Sequence, residues 1–290
     1  MDGARVLIAG CGDVGCALAL RLCAAGHAVT GLRRRAGVLP PGVEALAADL
    51  ADGPALAREL QCDYDVVVYA AAPDRFAADA YRSVYLDGLG NLLAALRGAP
   101  HIVLVSSTGV YHQHDGEWVD EESPAEPTGF SGRTLLAAEE LLRAHAGERG
   151  TIVRFGGIYG PGRERLLREV AACIGCPREP VRYTNRIHRD DCAGMLLFLI
   201  ERMRAGAALA PLYLGVDSAP APMWEVRTWI AAQLGVTLRE DAAGAGDGRS
   251  PGSKRVSNRR LLAAGYALRY PDYRAGYAPL LAAFRSARPS

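Results

Sequence analysis

The chain has almost no excess of charge of either sign. Its 290 residues include 33 Lys and Arg against 32 Asp and Glu, a formal net charge of +1, which provides no field for binding nucleic acid or an anionic membrane. No apolar run approaches the length of a transmembrane span. Because Met1 leads within a few residues into the first predicted strand, we expect no signal peptide and a cytoplasmic protein. The expected partners are therefore a small-molecule substrate and a second copy of the chain, as in a homodimer, with no nucleic acid and no membrane.

Cysteine is present in an odd number. Seven cysteines in a chain of this length without a secretion signal favour reduced thiols over a disulfide framework. Cys173 and Cys176 form a CxxC pair, but no second CxxC and no clustered pair of histidines accompanies it. We therefore expect no metal site.

A glycine loop near the start is the first informative pattern. The apolar run from Val6 to Ala9 leads into Gly10, Gly12 and Gly15 at GxGxxG spacing, and an Ala/Leu-rich helical stretch follows. Gly10 permits a tight turn, Gly12 lets the backbone approach a pyrophosphate, and Gly15 lets the helix pack closely on the strand. The N-terminus of the helix then offers free N–H groups to the phosphates. The residues predicted to hold the dinucleotide here are Gly10, Gly12, Asp13, Val14 and Gly15.

The end of the second predicted strand indicates which dinucleotide binds. This strand, from His27 to Leu32, completes a βαβ unit. An NAD site normally has an Asp or Glu near this point, which accepts hydrogen bonds from the ribose. The chain has Arg33 and Arg34 instead. Because a guanidinium suits a 2′-phosphate and cannot accept from a hydroxyl, the cofactor is predicted to be NADP, with NAD less favoured. A solvated basic turn is the alternative interpretation.

Strand and helix patterns alternate along most of the chain. The unbroken run Val66–Val68 is typical of a parallel strand buried on both faces. The alternation predicts an α/β fold with a Rossmann-type, doubly wound parallel sheet, whose ligands bind at the carboxyl ends of the strands. The residues expected to contact the cofactor at those ends are Asp49, Leu50, Ala70, Ala71, Ala72 and Ser106. The predicted domains are a dinucleotide-binding domain, residues 1–160 with about 190–216, and a smaller, discontinuous substrate-binding lobe, residues 161–189 and 217–290.

Five motifs are spread along nearly the whole chain. They are GCGDVG at 10–15, VSSTGVY at 105–111, RFGGIYGPGR at 154–163, RIHRDDCAG at 186–194 and SKRVSN at 253–258. Together they resemble the extended and atypical short-chain dehydrogenases/reductases, the NAD(P)-dependent epimerase/dehydratase family. The resemblance implies a Rossmann fold, a nicotinamide cofactor and oxidoreductase or epimerase chemistry on a small carbonyl or sugar-like substrate.

The resemblance also indicates which catalytic groups the chain has. In this family a Tyr acts as acid/base, a Lys lowers the pKa of that Tyr, and a Ser or Thr hydrogen-bonds the substrate oxygen. The SSTGVY motif supplies the last of these as Ser107, with Thr108 beside it.

The Tyr–Lys pair itself is missing. Alignment places Ser131 at the Tyr position and Leu135 at the Lys position, and a one-residue slip gives Phe130 and Thr134. Neither alignment restores the chemistry, because a Ser hydroxyl is too weak an acid and Leu carries no charge. We take Ser107, Thr108, Tyr111 and Ser131 as the catalytic candidates. Other possible proton donors are His112, Tyr159 and His188.

The substrate is expected to lie against residues from the later motifs. These are Arg154 or Tyr159, then Arg186, His188 and Arg255. Several arginines around one site suit an anionic substrate such as a phosphate or carboxylate. Capping of helices and pairing with aspartates are the alternative roles for these arginines.

Two functional hypotheses follow. The first is an oxidoreductase or epimerase-like enzyme with a non-standard proton donor. The second is a catalytically silent NADP-binding sensor, regulator or scaffold, which the missing Tyr–Lys pair favours.

Overall fold

A seven-stranded sheet forms the centre of the first of two compact units. The computed structural model describes residues 3–35, 37, 39–239 and 252–286. In spatial order the strands are β3 (Glu44–Ala47), β2 (Ala28–Arg33), β1 (Arg5–Ala9), β4 (Val66–Tyr69), β5 (His101–Ser107), β7 (Gly150–Phe155) and β11 (Leu212–Gly215). The pairings from β3 to β5 are all parallel. This order confirms the predicted Rossmann-type fold.

Helices cover both faces of the sheet. They are α1 (Asp13–Ala24), α2 (Gly53–Glu59), α3 (Ala78–Arg82), α4 (Leu89–Ala95), α5 (Phe130–Ala146) and α7 (Arg189–Arg204), and a π-helical turn, Ser83–Gly88, separates α3 from α4. Leu7 and Val67 join a buried core with residues of α2, α4 and α5. The next residue, Ile8, faces α1, where a Cβ on Gly15 would lie 3.2 Å from its Cγ2. Because side chains alternate along a strand, burial on both faces produces the continuous apolar runs.

The second unit combines short strands with helices. The strands are β6 (Glu117–Val119), β8 (Gly157–Tyr159), β9 (Tyr183–Thr184), β10 (Arg186–His188), β12 (Ala221–Pro222) and β13 (Lys254–Val256), and the helices are α6 (Arg165–Ala171), α8 (Met223–Leu234), α9 (Arg259–Ala263) and α10 (Tyr273–Ser286). The strands form three pairs: β6 with β13, β8 with β10, and β9 with β12. Leu167, Ile230 and Leu281 belong to a core that joins α6, α8 and α10.

Each unit is assembled from separate stretches of the chain. The first comprises Met1–Val110, Ala125–Arg154 and Cys192–Tyr213, and the second Tyr111–Pro124, Phe155–Asp191 and Leu214–Ser290. Residues 111–124 and 155–160, which the sequence analysis assigns to the first domain, thus belong to the second unit. The reason is long-range strand pairing, because β6 pairs with β13 and β8 pairs with β10. Among the described residues, no helix is both long enough and apolar enough to cross a membrane.

Candidate functional site

The glycine loop, residues 10–15, is anchored to the end of β2. The N–H groups of Gly10 and Cys11 both donate to Leu32 O, at 3.0 and 3.1 Å. Gly10 has φ +86°, and a Cβ there would lie 2.3 Å from the backbone of Ala71. Glycine is therefore required at position 10 by both conformation and space. The structure thus places Ala71 against the loop, and contact of Ala70, Ala71 and Ala72 with the cofactor stays a prediction.

Gly12 and Gly15 are glycines for different reasons. A Cβ on Gly15 would lie 2.9 Å from Gly10 O, so this glycine permits close packing of α1 on β1. A Cβ on Gly12 would meet no protein atom nearer than 4.0 Å. Protein packing therefore leaves position 12 open, and this open space adjoins the N-terminus of α1, which begins at Asp13 and continues into the buried Val14. Free space beside the N-terminus of a helix fits a pyrophosphate.

Arg33 and Arg34 begin beside this loop. Arg33 is the last residue of β2 and follows Leu32, the residue whose carbonyl anchors the loop. Arg33 is half-buried, whereas Arg34 is exposed with its Nη2 3.9 Å from Asp74 Oδ2. Both arginine side chains therefore begin at the strand end where the 2′-phosphate of NADP is expected.

The turn after β3 is held by hydrogen bonds within the first unit. Asp49 Oδ1 accepts from Ala51 N at 3.0 Å, and Leu50 O accepts from Asn91 Nδ2 at 2.9 Å. The side chain of Leu50 packs against the buried core. Contact of Asp49 and Leu50 with the cofactor stays a prediction.

A buried ion-pair network corrects two of the predicted roles. Glu139 on α5 is fully buried and accepts from Arg154 Nε at 2.9 Å and Nη2 at 2.6 Å. Ser106 Oγ donates to the same carboxylate at 2.7 Å. The side chain of Ser106 therefore faces the core, and its hydroxyl is engaged there rather than with a cofactor. Arg154 is likewise committed to Glu139 rather than to a substrate.

Ser107 ends β5, and its neighbours form a tight turn. Ser107 Oγ accepts from Gly109 N at 3.1 Å, which leaves the hydroxyl hydrogen to donate to a ligand. Thr108 is buried at the start of the 3-10 turn Thr108–Val110. A Cβ on Gly132 would lie 3.1 Å from Gly109 O, so the first turn of α5 packs on this turn. The structure thus brings Ser107 and the predicted catalytic helix together.

That helix offers neither a phenol nor an amine in its first turns. Ser131 is half-buried and Leu135 is buried. In the other alignment, the Phe130 ring lies 4.9 Å from Phe76, and Thr134 Oγ1 donates to Phe130 O at 2.9 Å. Neither alignment therefore places an activated tyrosine beside Ser107.

Tyr111 has a structural role in the second unit. Its ring is buried and its hydroxyl donates to Asp120 O at 2.7 Å, which corrects the expectation that this phenol is catalytic. Its carbonyl accepts from Lys254 Nζ at 2.8 Å. Lys254 on β13 is only 6% exposed, and burial lowers its pKa to about 8. Sequence reasoning assigned no role to this lysine, although it stands in the SKRVSN motif.

Three predicted substrate residues meet on the paired strands β8 and β10. Tyr159 stands opposite His188 in register, with the two rings 5.3 Å apart, and Arg186 begins the same strand as His188. All three residues are at least nine-tenths buried. Burial raises the pKa of Tyr159 and lowers the pKa of His188. The arrangement therefore favours uncharged forms of both side chains.

Several polar atoms of this region are buried without a hydrogen-bond partner among the described residues. They include Tyr159 Oη, His188 Nε2 and Asp217 Oδ2. Because His188 Nδ1 accepts from Asp190 N at 3.1 Å, the ring proton resides on Nε2. Asp217, which sequence reasoning missed, has its pKa raised to about 7 by burial, against the opposing charge of Arg186. No pattern in the sequence marks this aspartate as unusual.

Arg255 belongs to a different part of the second unit. Its Nε donates to Gly116 O at 2.7 Å, and its guanidinium lies 5.2 Å from the Trp118 ring centre and 5.0 Å from that of Tyr183. Cation–π contacts of this kind stabilise the ribbon of β6 and β13. Its binding of substrate stays a prediction.

Among the described residues, no group of three or more His, Cys, Asp or Glu is arranged to hold a metal ion. The seven cysteines are free thiols, and Cys173 and Cys176 of the CxxC pair are half-buried.

Comparison with known proteins identifies the family. The model of the NAD dependent epimerase/dehydratase family matches residues 6–209, which is more than half of the chain. The chain belongs to this family. The roles assigned to Ser107, Ser131 and Leu135 by the resemblance stay predictions.

Relatives of this epimerase/dehydratase family member have several descriptions. A solved structure from Methylobacillus flagellatus, assigned to the NAD-dependent epimerases/dehydratases, is 44% identical, with a TM-score of 0.81 over 97% of this chain and 99% of that chain. Protein YeeZ of Escherichia coli is 30% identical over 70% of this chain and 75% of its own. A Streptomyces protein named 3-diazoavenalumate denitrifying reductase is 29% identical over 76% of this chain and 79% of its own.

Proposed function

We propose that the protein is an NADPH-dependent oxidoreductase that acts on a small carbonyl or sugar-like substrate. The observation that carries this proposal is the open position beside Gly12, where a Cβ would meet no protein atom nearer than 4.0 Å, at the N-terminus of α1. Open space at the N-terminus of a helix is what a bound phosphate needs. The name of the Streptomyces reductase supports reductive chemistry in a relative of similar length.

In this proposal the glycine loop and the end of β2, both in the first unit, hold the cofactor. The N–H groups of the glycine loop bind the pyrophosphate, and Arg33 and Arg34 bind the 2′-phosphate. The bound nicotinamide supplies hydride chemistry. Ser107 donates a hydrogen bond to the substrate oxygen with the proton that its bond from Gly109 leaves available.

The residues predicted to bind the substrate differ in how far they are buried. Tyr159, Arg186 and His188 are buried, so we assign them to shaping the second unit rather than to direct contact with the substrate. Arg255 is only half-buried and could pair with an anionic group of the substrate.

Measurement of cofactor affinity tests the choice of NADPH. We expect tighter binding of NADPH than of NADH, and a roughly 10- to 150-fold loss of NADPH affinity in Arg33→Ala, the equivalent of about 1.5–3 kcal/mol for hydrogen bonds to a charged group. NADH affinity should not change in the same variant. The exposed Arg58→Ala on α2 is the matched control. Equal or tighter NADH binding by the wild type would contradict the proposal.

The second hypothesis is a cofactor-binding sensor without turnover. The absence of a phenol and an amine from the first turns of α5 favours it. Single-turnover mixing of NADPH-loaded protein with carbonyl probes separates the two. Loss of nicotinamide absorbance that Ser107→Ala abolishes supports the enzyme, whereas tight NADPH binding with no reaction supports the sensor.

A further inference from the structure

Two thiols meet at the predicted dinucleotide loop. Cys11 lies within the glycine loop, residues 10–15, and Cys16 follows it in the first turns of α1. Their Sγ atoms lie 3.9 Å apart, and Cys16 Sγ donates to Cys11 O at 3.3 Å. The packing of the loop onto the helix therefore brings two oxidisable sulfur atoms into contact beside the site proposed for the pyrophosphate.

The two thiols differ in their access to solvent. Cys11 is fully buried, whereas Cys16 is half-buried. Cys16 also shares a face of α1 with Leu20, four positions later, which is 50% exposed. An oxidant in solution therefore meets the Cys16 thiol before it meets the Cys11 thiol.

The electrostatic surroundings of Cys11 agree with this order and connect the thiols to Arg33. Burial, and after it the neighbouring Cys16 thiol, raise the pKa of Cys11 to about 12, whereas the charge of Arg33 opposes this shift. Cys11 therefore stays protonated at neutral pH and reacts second, after Cys16 has been oxidised. Because Arg33 acts on the Cys11 thiol, the thiol pair lies within electrostatic reach of the arginine proposed to bind the 2′-phosphate.

The backbone between the thiols includes the open position at Gly12. Gly12 N donates to Gly10 O at 2.7 Å, and Cys16 N donates to Gly12 O at 2.7 Å. The sulfur atoms of a disulfide are about 2.0 Å apart, so the two Sγ atoms, now separated by 3.9 Å, must approach by about 1.9 Å. Because Gly12 lies between the two cysteines and is bonded on both sides, this approach displaces the loop backbone where the phosphate is proposed to bind.

We propose that Cys11 and Cys16 form a reversible disulfide that lowers the affinity of the glycine loop for NADPH. The effect on affinity rests on the proposed function, because it requires that this loop bind the dinucleotide. The oxidant is a hydroperoxide such as hydrogen peroxide. The thiol pair thus makes cofactor binding depend on the redox state of the surroundings.

The chemistry consumes one peroxide for each disulfide. The Cys16 sulfur attacks a peroxide oxygen, so that an S–O bond forms, the O–O bond breaks, and the leaving hydroxide takes the thiol proton as water. The Cys11 sulfur then attacks the sulfenic sulfur of Cys16, so that the S–S bond forms, the S–O bond breaks, and a second water leaves with the Cys11 proton. The two thiols lose two electrons, which reduce the peroxide. A dithiol such as dithiothreitol reverses the change by thiol–disulfide exchange.

Packing is the competing explanation, in which both cysteines only fill small apolar spaces in the loop. The two explanations predict different products of oxidation. Thiols that only pack would react separately, so that peroxide would add oxygen to the accessible Cys16 and leave the buried Cys11 as a thiol. A thiol pair that reacts as proposed loses hydrogen from both cysteines and gains no oxygen.

The first arm of the test needs neither a variant nor a cofactor. Trypsin cleaves after Arg5 and Arg21, and the peptide between them contains Cys11 and Cys16 and no other cysteine. The full chain is treated with hydrogen peroxide, its remaining thiols are alkylated, and this peptide is weighed by mass spectrometry. We expect a peptide that is not alkylated and is lighter by two hydrogen atoms, and we expect dithiothreitol to restore both thiols. A peptide that has gained oxygen, or that is alkylated at both cysteines, would overturn the proposal.

The second arm measures NADPH affinity before oxidation, after oxidation and after reduction. We expect the oxidised wild type to bind NADPH at least about 10-fold more weakly, comparable to the loss of one hydrogen bond to a charged group, and to recover fully on reduction. Cys16→Ala should bind NADPH as the reduced wild type does and keep that affinity in peroxide. Cys23→Ala is the matched control, since Cys23 is half-buried on the same helix, and it should lose affinity in peroxide as the wild type does.

The outcomes separate this inference from the proposed function. NADPH affinity that is unchanged in protein shown by mass to carry the disulfide overturns the inference and leaves the proposed function intact. Reduced wild type that binds neither NADPH nor NADH overturns the proposed function, and the effect of the disulfide on cofactor affinity with it.

Discussion

Replacement of Arg154 by Met should strongly destabilise the first unit. Arg154 and Glu139 form a two-bonded ion pair, at 2.9 and 2.6 Å, between β7 and α5, and both side chains are almost completely buried. Removal of the arginine leaves the Glu139 carboxylate inside the core with Ser106 Oγ at 2.7 Å and Arg143 Nη2 at 3.3 Å. Breaking such a buried pair costs about 3–5 kcal/mol, because the remaining charge is no longer compensated.

This loss is large enough to measure by thermal unfolding. The first unit has about 160 residues, and a domain of that size loses roughly 2–4 °C in melting temperature per kcal/mol. We therefore expect Arg154→Met to melt about 6–20 °C below the wild type. The position of Ser107 should change as well, because the network joins Ser106, the residue before Ser107, to the helix that carries Ser131.

Two variants make the test specific. Arg143→Met removes the other arginine, which is 47% exposed and pairs with Glu139 across one helical turn, and should change stability by no more than about 0.5 kcal/mol. The double variant Glu139→Leu with Arg154→Met removes both buried charges and should recover much of the loss. If Arg154→Met were as stable as Arg143→Met, the reasoning from burial would be refuted.

Three further predictions concern the cofactor loop and pH. Gly12→Ala should have the melting temperature of the wild type and bind NADPH at least about 10-fold more weakly, whereas Gly10→Ala should lose both stability and NADPH binding. Calorimetry on both variants measures the two quantities. Equal NADPH affinity in Gly12→Ala would contradict the phosphate role of Gly12. Ser106→Ala should lose about 1–3 kcal/mol in urea unfolding with NADPH affinity unchanged. The folded pKa of Asp217, about 7, lies above its ordinary value of 3.8. Its contribution to stability is therefore lost as pH rises from about 4 to 7. When melting temperatures are measured at each pH, that of Asp217→Asn should rise relative to that of the wild type over this range. A constant difference in melting temperature would contradict the assigned pKa.

The predictions that succeeded concern features formed by neighbouring residues. GxGxxG spacing after an apolar run predicts a strand, a turn and a helix within 15 residues, and Gly10, Gly12 and Gly15 have the surroundings expected of such a loop. The position of Arg33 at the end of β2 follows from the same βαβ unit. Such motifs are readable because their geometry depends mainly on the local chain.

The corrections concern side chains whose partners are distant in sequence. Ser106 stands in the motif that supplies Ser107, but its hydroxyl is engaged by Glu139, 33 residues away. Tyr111 has the right chemistry for an acid, yet its hydroxyl donates to a backbone carbonyl at Asp120. Residue type and spacing identify neither partner, because Glu139 is one of many carboxylates in the chain and a backbone carbonyl is present at every residue.

Local spacing was sufficient to predict a Rossmann-type fold and a glycine loop of the dinucleotide type. Only the tertiary structure shows which charged side chains are buried. Lys254 lies 143 residues from Tyr111 along the chain, and its burial and its hydrogen bond arise from the packing of β13 in the second unit. The lysine is visible in the sequence, but its acidity depends on desolvation by residues that only folding assembles.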